Sequence, residues 1–293
     1  MSRGAIVAGM IVTRFAPSPT GLLHLGHAYA AQLAWRAARD AGGRFLLRVE
    51  DIDQARCRKE FVAAIEEDLT WLGLAWDGGV RRQSEHFADY RSGLDRLDAA
   101  GLLYPCFCTR AAIKAEMANA LDAPQGPEGP LYPGTCRVLS LTERGRRIAA
   151  GENFALRLDV VEAIARSGPL FWEDEERGRI AADPAALGDA VLARKDTPAS
   201  YHLAVTIDDA LQGVTLVTRG IDLFAATHLH RLLQALLDLP VPRWRHHVML
   251  TDASGRRYAK RDRSLTLRAL REGGQSPDAV LRLADQIAAS AAT

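Results

Sequence analysis

The sequence predicts an α/β fold built on a parallel sheet, and three consecutive segments near the start of the chain carry that prediction. Residues 10–16 form a short apolar run typical of a strand, which ends at a loop rich in Pro and Gly. Residues 25–40 show apolar side chains at helical spacing and stop at a Gly-Gly pair, and residues 44–49 are typical of a strand buried on both faces. Because a helix joins the two strands, they form a βαβ unit and run parallel.

The rest of the chain continues the alternation of helices and strands, with one atypical segment. Helices are predicted at residues 61–73, 90–101, 228–237 and 276–287. Strands are predicted at residues 154–160, 203–208, 214–218 and 248–250, the first of them as an edge strand. Residues 101–137 hold three cysteines and a stretch rich in Pro and Gly, so they are interpreted as an insertion on the sheet scaffold.

Composition favours a folded protein and excludes several other classes. Hydrophobic residues make up 48% of the 293 residues, which is enough to bury a full core, and no apolar run is long enough to span a bilayer. Residues 1–10 contain neither the apolar region nor the cleavage site of a signal peptide, so we expect a cytoplasmic protein with no membrane partner. The net charge is +1, so bulk charge by itself does not indicate a nucleic-acid partner.

The sharpest chemical signal is residues 14–21 (Arg-Phe-Ala-Pro-Ser-Pro-Thr-Gly), followed by His24, Leu25, Gly26 and His27. Two imidazoles three residues apart share a helix face, at a helix start whose free N–H groups and positive dipole end suit phosphate. His24 and His27 could donate there to phosphate oxygens in a transition state, and Gly26 would let a flat ring such as adenine lie against the backbone. The alternative, a pair of surface histidines, does not account for the eight preceding residues.

This segment resembles the HIGH motif of class I aminoacyl-tRNA synthetases, and the eight residues before it resemble the glutamyl subgroup. The resemblance covers nearly all of the chain and continues through residues 48–53, 201–204, 208–209 and 219–220. It implies a Rossmann-type catalytic core with a small zinc-binding insertion, in an enzyme that uses ATP with Mg²⁺ to activate L-glutamate. The expected segments are the first half of the catalytic domain, the connecting insertion and the second half, at residues 10–100, 101–200 and 201–293.

The second nucleotide motif of these synthetases, KMSKS, is matched by residues 257–261 (Arg-Tyr-Ala-Lys-Arg). Lys260 matches the second lysine of the motif, whereas Arg257 stands in place of the first lysine and the serines are absent. By resemblance, the catalytic residues are His24, His27 and Lys260, which bind ATP together with Gly26. Lys260 is expected to neutralise the leaving pyrophosphate from a mobile loop. The alternative is a basic surface loop.

Glutamate selection is expected at the ends of the two predicted strands. Arg14 and Glu50 lie at the carboxyl ends of strands in one βαβ unit, the edge where open α/β sheets bind ligands. Arg14 and Arg219 can each bind a carboxylate, and which of them faces the side-chain carboxylate is left open; Glu50 can hold the α-ammonium. For Glu50 the alternative is a local ion pair with Arg48 or Arg56. By resemblance, the residues that contact the amino acid are Arg14, Phe15, Ala16, Pro17, Ser18, Glu50, Tyr201 and Arg219.

The cysteines of the insertion indicate a metal site. Cys106, Cys108 and Cys136 supply three soft ligands, which suit tetrahedral zinc completed by a fourth group. Similar Cys-x-Cys…Tyr-x-x-x-Cys sites occur in the family that this chain resembles, and by this resemblance Tyr132 is the fourth ligand of a structural zinc. The alternative is three reduced thiols in an insertion that packs without metal. Cys57 lies apart from the others and is interpreted as incidental.

The chain after Lys260 indicates the acceptor of the glutamyl group. Only 33 residues follow Lys260, where glutamyl-tRNA synthetases carry a long helical region that reads the anticodon. We therefore expect no anticodon-binding domain. The sequence resembles truncated paralogues that attach glutamate to queuosine, at the wobble position of tRNA(Asp), so we expect a monomer that binds that anticodon arm.

Two alternatives stay open for the activity. One is an ordinary glutamyl-tRNA synthetase that charges a tRNA 3′ end, and the other is an inactive paralogue that binds RNA or a partner. The residues retained at the expected catalytic and glutamate positions argue against the inactive paralogue.

Overall fold

The computed structural model describes residues 9–109, 111–113, 125–127, 129–251 and 266–291. The strands in this part of the chain are β1 (Val12–Phe15), β2 (Arg44–Val49), β3 (Arg81–Arg82), β4 (Leu103–Cys106), β5 (Gln125–Gly126), β6 (Gly129–Pro130), β7 (Ala155–Leu158), β8 (Phe171–Asp174), β9 (Gly178–Ala181), β10 (Val191–Arg194), β11 (Leu216–Gly220) and β12 (Arg243–His247). The helices are α1 (Leu25–Asp40), α2 (Lys59–Trp71), α3 (Phe87–Ala99), α4 (Leu141–Ala149), α5 (Val160–Ser167), α6 (Tyr201–Leu211), α7 (Ala226–Leu236), α8 (Leu267–Glu272) and α9 (Pro277–Ala291).

The parallel strands converge at the centre of the molecule, as the α/β prediction requires. Strands β1, β2 and β3 pair in parallel in that order. Strand β11 pairs in parallel with β12 and β12 with β8, while β9 adds an antiparallel edge. The two groups meet at β1 and β11, where the amide of Thr215 donates to the carbonyl of Val12 at 2.9 Å. The carboxyl ends of β1, β2 and β11 are therefore close together.

Apolar side chains bury these strands in two main clusters. One cluster packs α1, α2, α8 and α9 with β1 and β2, and the other packs α3, α5, α6 and α7 with β4, β7 and β10. Among the described helices, none has the length and apolarity needed to cross a membrane.

Most of the predicted elements are confirmed. The strands predicted at residues 10–16, 44–49 and 214–218 correspond to β1, β2 and β11. The helices predicted at residues 25–40, 61–73, 90–101, 228–237 and 276–287 correspond to α1, α2, α3, α7 and α9, although α9 continues to Ala291.

A strand forms within residues 154–160, as predicted, but the prediction that it lies at the edge of a sheet is wrong. Strand β7 is the middle strand of a separate antiparallel sheet, in which β4 and β10 flank it. A short run of alternating side chains specifies an extended backbone but does not specify how many neighbours the strand has.

Two further strand predictions are wrong. Residues 203–208 lie in α6, which Ser200 caps by accepting a hydrogen bond from the amide of Leu203 at 3.4 Å. The helix is buried around most of its circumference, so its sequence shows no polar face and cannot be distinguished from a buried strand by periodicity. Residues 248–250 follow β12 instead of forming a strand. Within β12, Trp244 and His246 are buried and alternate with less buried residues, as in an ordinary strand. The basic and imidazole side chains of β12 hide that alternation in the sequence.

Candidate active site

The start of α1 is organised by the two histidines of the first motif. His24 is the N-cap, and its Nδ1 accepts a hydrogen bond from the amide of Gly26 at 3.2 Å. His27 reaches back, and its Nδ1 accepts from the amide of His24 at 3.2 Å. An imidazole whose Nδ1 accepts carries its proton on Nε2. The two rings, whose centroids are 3.8 Å apart, therefore carry Nε2–H donors at the positive end of the helix dipole.

Gly26 gives this cap room. A Cβ at this position would lie 3.2 Å from Cε1 of His24, which is closer than ordinary side-chain contacts. Glycine thus leaves room for the His24 ring, a reason additional to the predicted contact with adenine.

The ends of the segment that carries the KMSKS-like residues are held beside the same helix start. Lys260, together with Arg257, lies outside the described residues. Leu250 precedes that segment and Leu267 follows it, and both pack in one apolar cluster with Leu23. The amide of Leu267 also donates to the carbonyl of Leu23 at 2.9 Å.

The loop between β1 and α1 lies against the end of β2. Phe15 is buried in the apolar core beside α1, and Ala16 is half-buried. The carbonyl of Pro17 accepts a hydrogen bond from the amide of Glu50 at 3.0 Å. This contact brings Ser18 and Glu50 to the wall of one cavity.

Arg14 is a buried cation whose charge is already compensated. Its Nε donates to Oδ1 of Asp209 at 2.9 Å and its Nη1 to the carbonyl of Thr218 at 3.1 Å. Arg48 donates to the same Asp209 oxygen at 2.8 Å. Burial opposes ionisation of Asp209, but the two guanidiniums hold its pKa below the usual value.

Glu50 forms one of the two ion pairs considered for it. Nη2 of Arg48 lies 3.2 Å from Oε1 of Glu50, whereas Arg56 pairs with Asp53. Burial raises the pKa of Glu50 even though Arg48 and Arg14 are near. The carboxylate therefore remains short of positive charge, and an additional cation at the cavity wall would stabilise it.

Arg219 differs from Arg14 because its partners are neutral. The side chain is 6% exposed, and its Nε donates to Nε2 of His246 at 3.3 Å. Its Nη1 lies 3.1 Å from Nδ1 of His230, and its Nη2 donates to Oγ1 of Thr227 at 2.5 Å. Within the described part of the chain, no carboxylate lies within ion-pair distance of Arg219. Burial lowers the pKa of this guanidinium, as expected of a cation that lacks a counter-charge.

A cavity of about 530 Å³ lies between the glutamate-binding candidates and the insertion. Ser18, Glu50 and Tyr201 line one part of it, and the Tyr201 ring is also adjacent to Arg219. Tyr132 and Arg157 line another part. Burial raises the pKa of Tyr201, so its hydroxyl is neutral and can donate a hydrogen bond to an anion. A volume of this order suits a small-molecule ligand.

The cysteine cluster of the insertion has the geometry of a metal site. The Sγ atoms of Cys106, Cys108 and Cys136 all lie within 4.8 Å of one another, and those of Cys108 and Cys136 are 3.5 Å apart. Thiolates around tetrahedral zinc lie roughly 3.8 Å apart for Zn–S bonds of about 2.3 Å. The hydroxyl of Tyr132 lies 3.7 Å from Sγ of Cys108. The three sulfur atoms could therefore hold a metal ion.

Several residues of the site were not identified from the sequence. Asp209 belongs to a quoted motif, but its role as the partner of Arg14 was not inferred. Thr227, His230 and His246 were not selected at all, because they are separate positions in α7 and β12 that only folding brings to Arg219. A correct placement of β12 would have aligned His246 with Arg219, which are register partners in that sheet.

Comparisons with known proteins show the family of this chain. Residues 10–291 match the family described as tRNA synthetases class I (E and Q), catalytic domain. A glutamyl-Q tRNA(Asp) synthetase from Rhodobacter capsulatus is 49% identical over 278 residues, which cover 93% of this chain and 99% of that protein. Glutamate–tRNA ligase 2 from Nitrosococcus oceani is 40% identical over 276 residues, which cover 92% of this chain but 57% of that protein.

A solved structure shows the same fold. The crystal structure of a glutamate tRNA ligase from Elizabethkingia meningosepticum, in complex with its amino acid, superposes with a TM-score of 0.72 at 26% sequence identity. The match covers 87% of this chain and 52% of that one, so this chain spans about half the length of that structure.

Proposed function

The chain belongs to the family of class I tRNA synthetase catalytic domains for glutamate and glutamine, and from this we propose that it activates glutamate with ATP and transfers the glutamyl group to queuosine of tRNA(Asp). The observation that carries the choice of glutamate is Arg219, a buried cation whose described partners are all neutral. A substrate with a side-chain carboxylate would supply the missing negative charge. Glutamine would leave that charge uncompensated in a closed site.

The amino acid is bound in the cavity that Ser18, Glu50 and Tyr201 line, with Arg219 next to Tyr201. Arg219 and the Tyr201 hydroxyl bind the side-chain carboxylate, and Glu50 holds the α-ammonium. Ser18 adds a hydrogen bond, and Arg14 contributes positive potential while Asp209 keeps it in place. The raised pKa of Glu50 supports this assignment, because a bound ammonium would stabilise its ionised form.

Activation consists of attack by the α-carboxylate of glutamate on the α-phosphorus of ATP. A P–O bond to pyrophosphate breaks as the new one forms, which gives glutamyl-adenylate and pyrophosphate. The Nε2–H groups of His24 and His27 donate to phosphate oxygens as charge develops, and Lys260 neutralises the leaving pyrophosphate. Mg²⁺ bound together with ATP would supply shielding of the phosphate charge. Positioning and electrostatics supply the rate, without a covalent protein intermediate.

In the second step a hydroxyl of queuosine attacks the carbonyl carbon of the adenylate. The new ester forms, the acyl–phosphate bond breaks, and AMP leaves. The choice of acceptor is supported by the named relatives, because the chain is 49% identical to the Rhodobacter glutamyl-Q tRNA(Asp) synthetase and 40% identical to the Nitrosococcus glutamate–tRNA ligase 2. The monomeric state, the cytoplasmic location and the division at residues 100 and 200 stay predictions.

The acceptor is tested with labelled glutamate, ATP and three RNAs. We expect tRNA(Asp) that carries queuosine but lacks its 3′-terminal adenosine to accept glutamate. The same tRNA from cells that cannot make queuosine should accept none, even with an intact 3′ end. Efficient labelling of queuosine-free tRNA(Glu) at its 3′ end would instead favour the ordinary synthetase.

A structural zinc ion held by Cys106, Cys108, Cys136 and Tyr132 is part of the proposal. The position of Tyr132 supports it as the fourth ligand, because its hydroxyl lies 3.7 Å from Sγ of Cys108. Burial raises the pKa of that hydroxyl, so the phenolate would form only with the positive charge of a bound metal ion beside it. Zinc at this site would cross-link β4 to the segment that contains Cys136, and it has no role in the chemical steps.

Elemental analysis of the purified protein should give about one zinc per chain, as a closed tetrahedral site requires. We expect Cys108→Ser to lose most of that zinc and Tyr132→Phe to release it faster to a chelator. Cys57→Ser is the matched control, because Cys57 lies outside the cluster, and it should retain the metal. Equal zinc contents in Cys108→Ser and Cys57→Ser would contradict the assignment.

A further inference from the structure

We propose that Asp174, His246, His230 and His202 are positioning residues that surround Arg219 with neutral acceptors and thereby keep its charge available for the side-chain carboxylate of the substrate. This inference rests on the proposed function, in which Arg219 binds that carboxylate. These residues would determine specificity through Arg219, without contacting glutamate themselves.

The first support is the pair of His246 and Asp174, whose proton positions follow from Arg219. A guanidinium only donates, so Nε2 of His246, 3.3 Å from Nε of Arg219, must accept. The proton of His246 therefore lies on Nδ1, which is 2.7 Å from Oδ2 of Asp174. Thr227 accepts from Arg219, so its own proton is available for Nε2 of His246 at 3.2 Å. The two donors share the single lone pair of Nε2, and a lone pair is available there only when His246 is neutral.

Asp174 is held so that one particular oxygen faces His246. Its Oδ1 accepts hydrogen bonds from the amides of Glu176 and Arg177, each at 3.1 Å. Its Oδ2 is left to His246, and the residue as a whole is 1% exposed. The imidazole thus separates the carboxylate of Asp174 from Arg219, so Asp174 orients the ring without forming an ion pair with the guanidinium.

The second support is the pair of His230 and His202. Nδ1 of His230 lies 3.1 Å from Nη1 of Arg219, so it accepts and the proton of His230 lies on Nε2. That Nε2–H donates to Nδ1 of His202 at 3.2 Å. His202 in turn carries its proton on Nε2 and lines the cavity. The chain of hydrogen bonds therefore runs from Arg219 to the cavity wall through two neutral rings.

The electrostatics of the site keep these rings neutral. Burial, and after it the charge of Arg219, lowers the pKa of His202 and that of His246 to about 4. The pKa of His230 is lowered well below its ordinary value for the same reasons. At neutral pH, three of the five N–H groups of Arg219 are thus engaged by acceptors that bring no negative charge.

The consequence concerns affinity for the substrate. A carboxylate in place of His230 would neutralise Arg219 and compete with glutamate for the guanidinium. A neutral acceptor instead fixes the geometry of the guanidinium and leaves its charge for the ligand. Substitutions that change only the charge or the proton position of the supports should therefore change glutamate binding without removing Arg219.

The first test exchanges neutral and charged residues of equal size at His230. We expect His230→Asn, which retains an acceptor, to keep the Kd for glutamate within about threefold of the wild-type value, and His230→Asp to raise it about 100-fold. His230→Asp should also reduce discrimination between glutamate and glutamine. Calorimetry measures both affinities, and ATP–pyrophosphate exchange gives KM and kcat separately.

A matched control lies two positions earlier in α7. His228 accepts hydrogen bonds from Nε1 of Trp172 and the amide of Asp183, and it does not contact Arg219. His228→Asp introduces the same carboxylate while keeping an acceptor for both donors, so it should bind glutamate as the wild type does. If His230→Asp bound glutamate like the control, or His230→Asn lost as much affinity as His230→Asp, the neutral supports would not be the determinant.

The second test changes the proton position of His246. In Asp174→Asn the amides that hold Oδ1 keep the Asn oxygen in that place, so the NH₂ group faces His246. His246 must then accept at Nδ1 and carry its proton on Nε2, which points a donor at the Nε–H of Arg219. We expect the ¹⁵N shifts of the His246 ring to show the exchange of tautomer, and the KM for glutamate to rise about 10-fold with little change in kcat.

The outcomes separate this inference from the proposed function. A wild-type protein that neither binds glutamate nor supports glutamate-dependent exchange would overturn both. A wild-type protein that binds glutamate, with unchanged KM in Asp174→Asn despite an altered His246 tautomer, would overturn only the role of the supports. If Asp174→Asn does not fold, the comparison between His230→Asp and His228→Asp decides the question.

Discussion

Replacing Arg219 with glutamine is expected to reduce kcat/KM for glutamate by about 100-fold to 1,000-fold, because a buried carboxylate would lose its charged partner. The reason lies in the contrast between the two arginines of the site. Arg14 shares its charge with Asp209, whereas the described contacts of Arg219 are with imidazole nitrogens and a hydroxyl. The measurement is ATP–pyrophosphate exchange at varied glutamate concentration, with calorimetry of glutamate binding.

The control for this prediction is Arg245→Gln in the neighbouring strand β12. Arg245 pairs with Glu175 at the surface and should leave the exchange reaction unchanged, apart from a small effect on stability. Thermal melting of both variants checks that the loss in Arg219→Gln is not a loss of fold. A folded Arg219→Gln protein with a normal KM for glutamate would show that another group binds the side-chain carboxylate.

His24→Asn is expected to lower the kcat of adenylate formation by about 100-fold, the size of effect seen when one donor to a developing charge is removed. His24 has an observed capping contact and a proposed catalytic role, and this substitution separates them. Its Nδ1 caps α1 by accepting from the amide of Gly26, and its Nε2–H is the proposed donor to phosphate. Asparagine is among the best N-cap residues, so the cap should be retained while the Nε2 donor is lost.

His24→Ala serves as the comparison, because it removes the cap as well as the donor. We expect His24→Ala to lose about 1 kcal/mol of stability relative to His24→Asn, with a similar fall in kcat. Denaturant unfolding gives the stabilities, and exchange at saturating ATP and glutamate gives kcat. Normal turnover in His24→Asn, with its melting temperature unchanged, would assign His24 to capping alone.

The elements of the βαβ unit could be predicted from the sequence because their signals are local. A Pro/Gly loop, apolar side chains at helical spacing and a run buried on both faces place β1, α1 and β2 within a few residues of their observed bounds. The same reasoning failed for α6, because a helix buried on most sides lacks a polar face. It failed for β12 because Arg243, Arg245 and the two histidines that follow Arg245 mask an ordinary alternation.

The sequence by itself determined which residues could carry the chemistry: the histidine motif, the arginines and Glu50, and the cysteine cluster. It could not determine which of the two arginines, Arg14 or Arg219, is paired with a carboxylate in the fold. Asp209, 195 positions from Arg14, compensates the charge of Arg14, whereas helix α7 and strand β12 bring His230, Thr227 and His246 to Arg219. Charge compensation in a buried site depends on neighbours in space, and these become neighbours only when the parallel strands assemble.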